Sequence, residues 1–262
     1  MRIPNFKTEE GTILYKNTVG RLISPRVADV LRVHAMEYLA KTNVRKILDL
    51  GCGPGTLSIP LAVEYPHIDV IGVDSSESML AIAKVEAAKQ HAQNVTFLKM
   101  DAGHISIDPE SFDFVLCNLA FPFFPNPYES MREVNTVVRP GGHVYFTVPG
   151  RHTWDEFFKV ATSVLGDMIS MATPLITKFS QAEVLPEAIA AAGFNCISEV
   201  RTLIPFQFGN GHEVLEFFGE LFHLLDYATP GIKDELVEAI NKTHPHGFTM
   251  NYEVVLLTAQ RP

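Results

Sequence analysis

Basic residues are in short supply: 21 Lys and Arg stand against 30 Asp and Glu, a formal net charge of −9. Nucleic-acid binding draws on clustered cations to neutralise phosphates. The chain holds no such cluster, which argues against that class and leaves small molecules as the expected partners. Cysteine is scarcer still. Cys52, Cys117 and Cys196 are far apart, odd in number and form no Cys-x-x-Cys pair, so neither a disulfide framework nor a zinc site is expected. The first residues, Met-Arg-Ile-Pro-Asn-Phe-Lys-Thr-Glu-Glu, lack the apolar run of a secretion signal. The most apolar stretch, Val160 to Thr177, is interrupted by Gly166, Asp167 and Pro174, which reads as buried helix rather than a membrane span. Internal repeats and low-complexity tracts are missing too. A reducing cytosol fits these absences.

What is present is apolar material, 47% of the residues, enough to bury a sizeable core. From residue 45 short apolar runs alternate with helical patterns. Strands are expected at Lys46–Leu50, Asp69–Val73, Val95–Met100, Phe112–Cys117 and His143–Val148, with helices near Leu57–Glu64, Glu77–Gln90 and Tyr128–Val138 between them. Short buried strands in strict alternation with helices imply right-handed crossovers and a doubly wound parallel sheet. An earlier helix starts at Ser24-Pro25, a cap residue followed by proline.

After Pro149 the rhythm changes. Thr153-Trp154-Asp155-Glu156 has the pattern of a capping box, opening a helix with Phe157, Val160 and Ala161 inward. A helix near Pro186–Ala192 ends at Gly193, Phe194–Val200 follows as a strand, His212–Leu225 is again helical, and Asn251–Ala259 closes the chain as the last strand. The expected organisation is a single domain over 1–262 with a cofactor-binding half at 44–150. Helical insertions at 151–180 and 205–250 would form a lid and acceptor region.

The most informative segment is Ile47-Leu48-Asp49-Leu50-Gly51-Cys52-Gly53-Pro54-Gly55-Thr56, an apolar strand running into a glycine-rich turn and then a helix. Such a turn lets backbone approach a nucleotide closely. Asp74 stands at the end of the next strand, 23 residues past Gly51, a spacing that suits hydrogen bonds to ribose hydroxyls. By itself this also fits a nicotinamide-dependent oxidoreductase. Two residues tilt the reading. Thr56 occupies the place where a dinucleotide fingerprint wants glycine or alanine for close helix packing, and Asp49 puts a carboxylate two residues before the turn. A pyrophosphate there would meet a like charge in a partly desolvated site, whereas a cationic ligand would be favoured. Cys52 reads as a small residue that fits the turn.

Leu48-Asp49-Leu50-Gly51-Cys52-Gly53-Pro54-Gly55 resembles the first motif of class I S-adenosylmethionine-dependent methyltransferases. Val73-Asp74-Ser75-Ser76-Glu77-Ser78-Met79-Leu80 resembles their acidic second motif, and Met100-Asp101-Ala102 the loop that faces adenine. Phe112-Asp113-Phe114-Val115-Leu116-Cys117-Asn118 resembles their fourth motif, and Val138-Arg139-Pro140-Gly141-Gly142 the turn before the fifth strand. These segments run in order across residues 46 to 148, and their flavour is that of the small-molecule methyltransferases similar to ubiquinone and menaquinone biosynthesis enzymes.

The resemblance implies an α/β, Rossmann-like, mostly parallel seven-stranded sheet with an antiparallel last strand and helical lid insertions. It implies S-adenosyl-L-methionine as cofactor. Asp49, Gly51, Cys52 and Gly53 would face its methionine part, Asp74, Ser75 and Met79 its ribose and adenine, Asp101 and Ala102 the adenine edge, and Asn118 the mouth of the site. Other readings remain: a non-catalytic binding or partner subunit, or the oxidoreductase.

Methyl transfer from a sulfonium needs alignment above all, worth up to roughly 7–11 kcal/mol. A general base adds only about 10²–10⁴-fold where one is needed at all. No catalytic residue is therefore assigned. Asn118-Leu119-Ala120-Phe121 departs from the Asn/Asp-Pro-Pro-Tyr of methyltransferases acting on the amino groups of bases or glutamine, and no metal is expected. The acceptor side is aromatic. Phe121-Pro122-Phe123-Phe124-Pro125 follows the fourth strand at the edge where ligands of such sheets bind. The insertions add Phe157, Phe158, Phe217, Phe218, Phe222 and Tyr227. The expectation is an apolar pocket in which Phe121, Phe124, Phe218 and Tyr227 contact a small apolar or aromatic acceptor. The acceptor's identity, the attacked atom and the oligomeric state stay open.

Overall fold

The structure, a computed structural model, describes residues 8–166, 182–222 and 229–262. The described residues begin with three helices, α1 (Glu9–Asn17), α2 (Val19–Leu22) and α3 (Ser24–Leu39). It then alternates β1 (Lys46–Leu50), α4 (Ser58–Glu64), β2 (Asp69–Asp74), α5 (Glu77–Lys89), β3 (Val95–Lys99), β4 (Phe112–Asn118), a single 3-10 turn at Phe121–Phe123, α6 (Pro127–Val137) and β5 (Val138–Pro149). Last come α7 (Asp155–Leu165), α8 (Val184–Ala191), β6 (Asn195–Phe208), α9 (Gly211–Phe222), α10 (Pro230–Thr243) and β7 (Phe248–Gln260).

The seven strands form one sheet in the order β3-β2-β1-β4-β5-β7-β6. β1 to β5 are parallel, and β7 lies antiparallel between β5 and β6. This is the Rossmann-like sheet the sequence implies, antiparallel last strand included. β1 has β2 on one side and β4 on the other, so the winding reverses beside it, and ligands of open α/β sheets bind at such a switch point, beyond the carboxyl ends of the strands. Ile47, Leu48, Asp49 and Leu50 are all buried, as a strand covered on both faces requires.

The N-terminal helices α1 and α2 were not expected. The signal was present: Thr8 accepts from Gly11 N–H at 3.1 Å and Glu9 and Glu10 fill the first turn, the pattern of a capped helix start. Downstream, β6 runs to Phe208 rather than Val200 and β7 begins at Phe248, so strand occupies both ends of the segment expected to be helical from 205 to 250. Pro205 disguises that strand. It sits exposed where β6 is an edge of the sheet, a position that tolerates proline, while Ile204 and Phe206 turn inward. The expected capping box also fails to form. Trp154, with a φ of 65°, precedes α7 without a side-chain cap. Glu156 is drawn to Asn251, accepting from its backbone N–H at 3.0 Å and its side-chain amide, and the Thr153 hydroxyl donates to Glu253 O at 3.2 Å.

The aromatic insertions build a core of their own on the projecting β6–β7 arm. Trp154 packs edge-on against Phe206 and Phe217, and Phe157 stacks on Phe218 with centroids 4.0 Å apart. Phe218 is 1% exposed. Truncating a buried phenylalanine costs about 3–5 kcal/mol, and a domain of this size loses about 2–4 °C per kcal/mol. Phe218→Ala is therefore expected to lower the thermal midpoint by on the order of 10 °C, which calorimetry checks directly.

Candidate functional site

β1 and β2 deliver their carboxyl ends to one edge of the sheet, and the glycine turn is tied across both. Gly51 N–H and Cys52 N–H donate to Val73 O at 2.8 and 3.0 Å. Gly51 has a φ of 71°, a left-handed conformation that favours glycine, and a Cβ there would collide with Ala120 Cβ. The turn and the chain leaving β4 therefore pack backbone to side chain with no spare room. Gly53 differs. Its φ is 53°, yet a Cβ built on it would meet nothing within 4 Å. That open space borders the turn.

Two carboxylates belong to this edge of the sheet. Asp74 shapes the cradle: its Oδ2 accepts from Gly53 N–H at 2.9 Å and its Oδ1 from Ser76 N–H at 2.8 Å. Each carboxylate oxygen has two lone pairs, so a carboxylate can accept from a hydroxyl as well as from backbone N–H groups. Asp49 is 1% exposed and accepts from the Ser58 hydroxyl. Burial pushes its carboxyl up to about 7, with the nearby Asp74 charge acting in the same direction. An anionic ligand would aggravate this arrangement and a cationic one would relieve it. The buried Cys52 thiol is pushed well above its ordinary value, mainly by burial, and Gly72 leaves room for its sulfur, in keeping with a packing role.

Ser75 is half-buried beside Asp74, and Met79 is buried in the first turn of α5, its N–H donating to the capping Ser76 hydroxyl at 3.3 Å. Asp101 and Ala102 follow β3 on the neighbouring side, half-buried. The Asp101 carboxylate accepts from Gly103 N–H at 3.0 Å, a turn-forming bond. Asn118 ends β4 on the far side of β1. Its side-chain amide donates to Ser24 O and Oγ, both at 3.3 Å, and its oxygen accepts from Thr147 Oγ at 2.9 Å. All ten expected cofactor residues thus collect at the carboxyl edge of β1 to β4.

The expected acceptor residues divide. Phe124 is half-buried and reaches the turn, its Cε1 lying 3.8 Å from where a Gly51 Cβ would stand. Phe121 is fully buried, edge-on to Phe124 and Phe146, and Phe218 is interior to the second core. Tyr227 lies outside the described residues. The sequence reading missed Ser58, Thr147 and Leu119, which hold the site from behind. Leu119 takes a φ of 58° and donates its N–H to Thr147 O at 3.1 Å, turning the chain after β4 toward Gly51. Tyr15 was missed as well. It belongs to the unexpected α1, and its phenol feels the charges of Asp74 and Asp49.

The glycine turn thus sits at a Rossmann-type switch point, with a buried carboxylate two residues before it and a second carboxylate one strand over. The model of a methyltransferase domain family matches residues 41–193, more than half of the chain. The chain belongs to that methyltransferase family, of the class I S-adenosylmethionine-dependent kind. It is 30% identical over 117 residues to a ubiquinone biosynthesis O-methyltransferase of Acinetobacter baumannii, covering 44% of this chain and 48% of that protein. It is 28% identical over 149 residues to a malonyl-[acyl-carrier protein] O-methyltransferase of a Paenibacillus species, covering 52% and 54%. The chain spans about half the length of these curated relatives. In fold it is similar to Haemonchus contortus phosphoethanolamine N-methyltransferase 2 in complex with S-adenosyl-L-methionine, with a TM-score of 0.60 at 21% identity over 98% of this chain and 58% of that one.

Proposed function

We propose that the chain transfers a methyl group from S-adenosyl-L-methionine to a small, apolar or aromatic acceptor. The carrying observation is the open space beside Gly53, next to the Asp74 carboxylate that bonds the turn, with the buried Asp49 two residues before that turn. The residues fit the donor chemically. Asp74 would accept from the ribose hydroxyls, the half-buried Asp101 and Ala102 would read the adenine edge, and Asp49 would favour the cationic end. Bound there, the donor supplies a methyl group on a sulfonium, whose departure as a neutral thioether needs no acid. The chain's task is then to orient and to exclude water.

The acceptor enters from the side of β4 and β5 in this reading. Phe124 lies against the glycine turn. Membership in a family with O-methyltransferase relatives supports a small metabolite, and the −9 charge speaks against a nucleic acid. Among the described residues no helix is long and apolar enough to cross a membrane.

Incubating the protein with methyl-labelled donor and a metabolite extract, then resolving labelled products by mass spectrometry, tests this. The expected product is an apolar or aromatic metabolite carrying one label, and Phe124→Ala is expected to raise the acceptor KM while leaving donor affinity within about twofold. Label found only on highly charged acceptors or on tRNA would overturn the acceptor assignment.

A further inference from the structure

Residues 8–24 precede the family-matched segment 41–193 and lie outside it. They are pinned to the sheet edge at two points. Thr12 Oγ and Ser78 Oγ share a hydrogen bond at 2.7 Å, fixing α1 to the first turn of α5, and Ser78 Oγ lies 3.0 Å from the Ser76 hydroxyl beside Asp74. At the other pin, Asn118 holds Ser24 at the start of α3, with Thr147 fixing the Asn118 amide from behind.

The strand order makes these pins informative. α5 follows β2, Asn118 ends β4, and β1 lies between those two strands. A segment anchored at the exits of β2 and β4 crosses the exit of β1, which is the glycine turn. Tyr15 falls between the anchors. Its phenol is bonded by the Ser24 hydroxyl, and burial, with Asp74 and Asp49 nearby, pushes it up to about 12, so it keeps its proton. Gly20 makes room for Tyr15, ring and backbone alike: a Cβ at position 20 would come 2.8 Å from Tyr15 Cε1, 2.9 Å from Tyr15 O and 3.0 Å from Cδ1.

We propose that residues 8–24 are the closing wall of the donor site and that Tyr15 is the side chain that covers the donor above the glycine turn. The inference rests on the methyltransferase reading. Asn118 then acts through Ser24, as a positioning residue for Tyr15, and Gly20 leaves Tyr15 the room it needs. A neutral phenol suits this place, since a third anion beside Asp49 and Asp74 would be repelled and a lysine would oppose the donor's charge.

The test uses S-adenosylhomocysteine as probe, with calorimetry for affinity, stopped-flow for dissociation, and deuterium exchange over residues 8–24. The ligand is expected to slow exchange in that segment of the wild-type chain. Tyr15→Ala is expected to weaken affinity at least tenfold, chiefly by faster dissociation, and Tyr15→Phe to restore most of the loss. Gly20→Ala, a position away from the donor cradle, is expected to speed dissociation severalfold by displacing the ring. Exchange indifferent to ligand, or wild-type dissociation in both Tyr15→Ala and Gly20→Ala, would overturn the inference while leaving the methyltransferase reading intact. Should Tyr15→Ala fail to fold, Gly20→Ala and the wild-type exchange decide. A wild-type chain that binds neither S-adenosylhomocysteine nor S-adenosylmethionine would defeat the donor site itself and this wall with it.

Discussion

Replacing Asp74 with alanine is expected to weaken S-adenosylmethionine binding by on the order of a hundredfold, because one substitution removes two kinds of support. The carboxylate is the proposed acceptor for the ribose hydroxyls, and hydrogen bonds to charged groups contribute about 1.5–3 kcal/mol each. It also accepts from Gly53 N–H and Ser76 N–H, holding the turn and the start of α5 in place before any ligand arrives. Losing the ligand contact costs roughly tenfold per 1.4 kcal/mol. Losing the internal bonds frees a turn that must be re-ordered on binding. Asp74→Asn separates the two, since its single oxygen retains one of the backbone bonds, and it is expected to lie between wild type and Asp74→Ala. Titration calorimetry with S-adenosylhomocysteine reads the affinities, and circular dichroism confirms the fold. Asp74→Ala binding within about twofold of wild type would remove the donor site from this part of the sheet.

The glycine turn and the succession of strands and helices from β1 to β5 were legible because they are local. An apolar run, a set of glycines and a carboxylate at fixed spacing are written consecutively, and the backbone demands behind them are met by residue type alone. The positive φ of Gly51 is of this kind. What stayed illegible depends on partners distant in sequence. Nothing near Gly51 says that Ala120 will press against it, and nothing near Glu156 says that Asn251 will take it from the helix start it was expected to cap. The strand to Phe208 was hidden because its register with β7 is a long-range pairing, and Pro205 argues locally against it. The aromatic residues teach the same lesson. Phe121, Phe124 and Phe218 look alike in sequence, but burial separates two interior rings from one that borders the site. The donor half was read from motif and the acceptor half from composition, and composition cannot tell a core from a pocket.

Asp49→Asn is expected to move stability and donor affinity in opposite directions. The carboxyl titrates at about 7 in the folded chain instead of near its ordinary 3.8, because burial disfavours its charged form. A carboxyl raised by folding supports the fold fully below its unfolded value, and that support is lost as pH rises through the folded one. Between about pH 4 and 7 the ligand-free protein is thus expected to lose stability at this residue, by about 1.4 kcal/mol for each step of one in pH. Asparagine keeps an oxygen to accept from Ser58 and carries no charge, so at pH 8 the ligand-free variant should melt several degrees above wild type. Donor binding runs the other way. A sulfonium brought beside Asp49 favours the carboxylate and releases its proton, so wild-type affinity for S-adenosylmethionine should climb with pH and level off above about 7. S-adenosylhomocysteine lacks that charge and should show a flatter profile. In Asp49→Asn the preference for the cationic ligand should shrink and its pH dependence through this window should disappear. Differential scanning fluorimetry of the ligand-free proteins and calorimetry with both ligands from about pH 5.5 to 8.5 measure the two halves. A variant less stable than wild type at pH 8, with an unchanged preference for S-adenosylmethionine, would show that Asp49 is a structural carboxylate and does not select the donor by its charge.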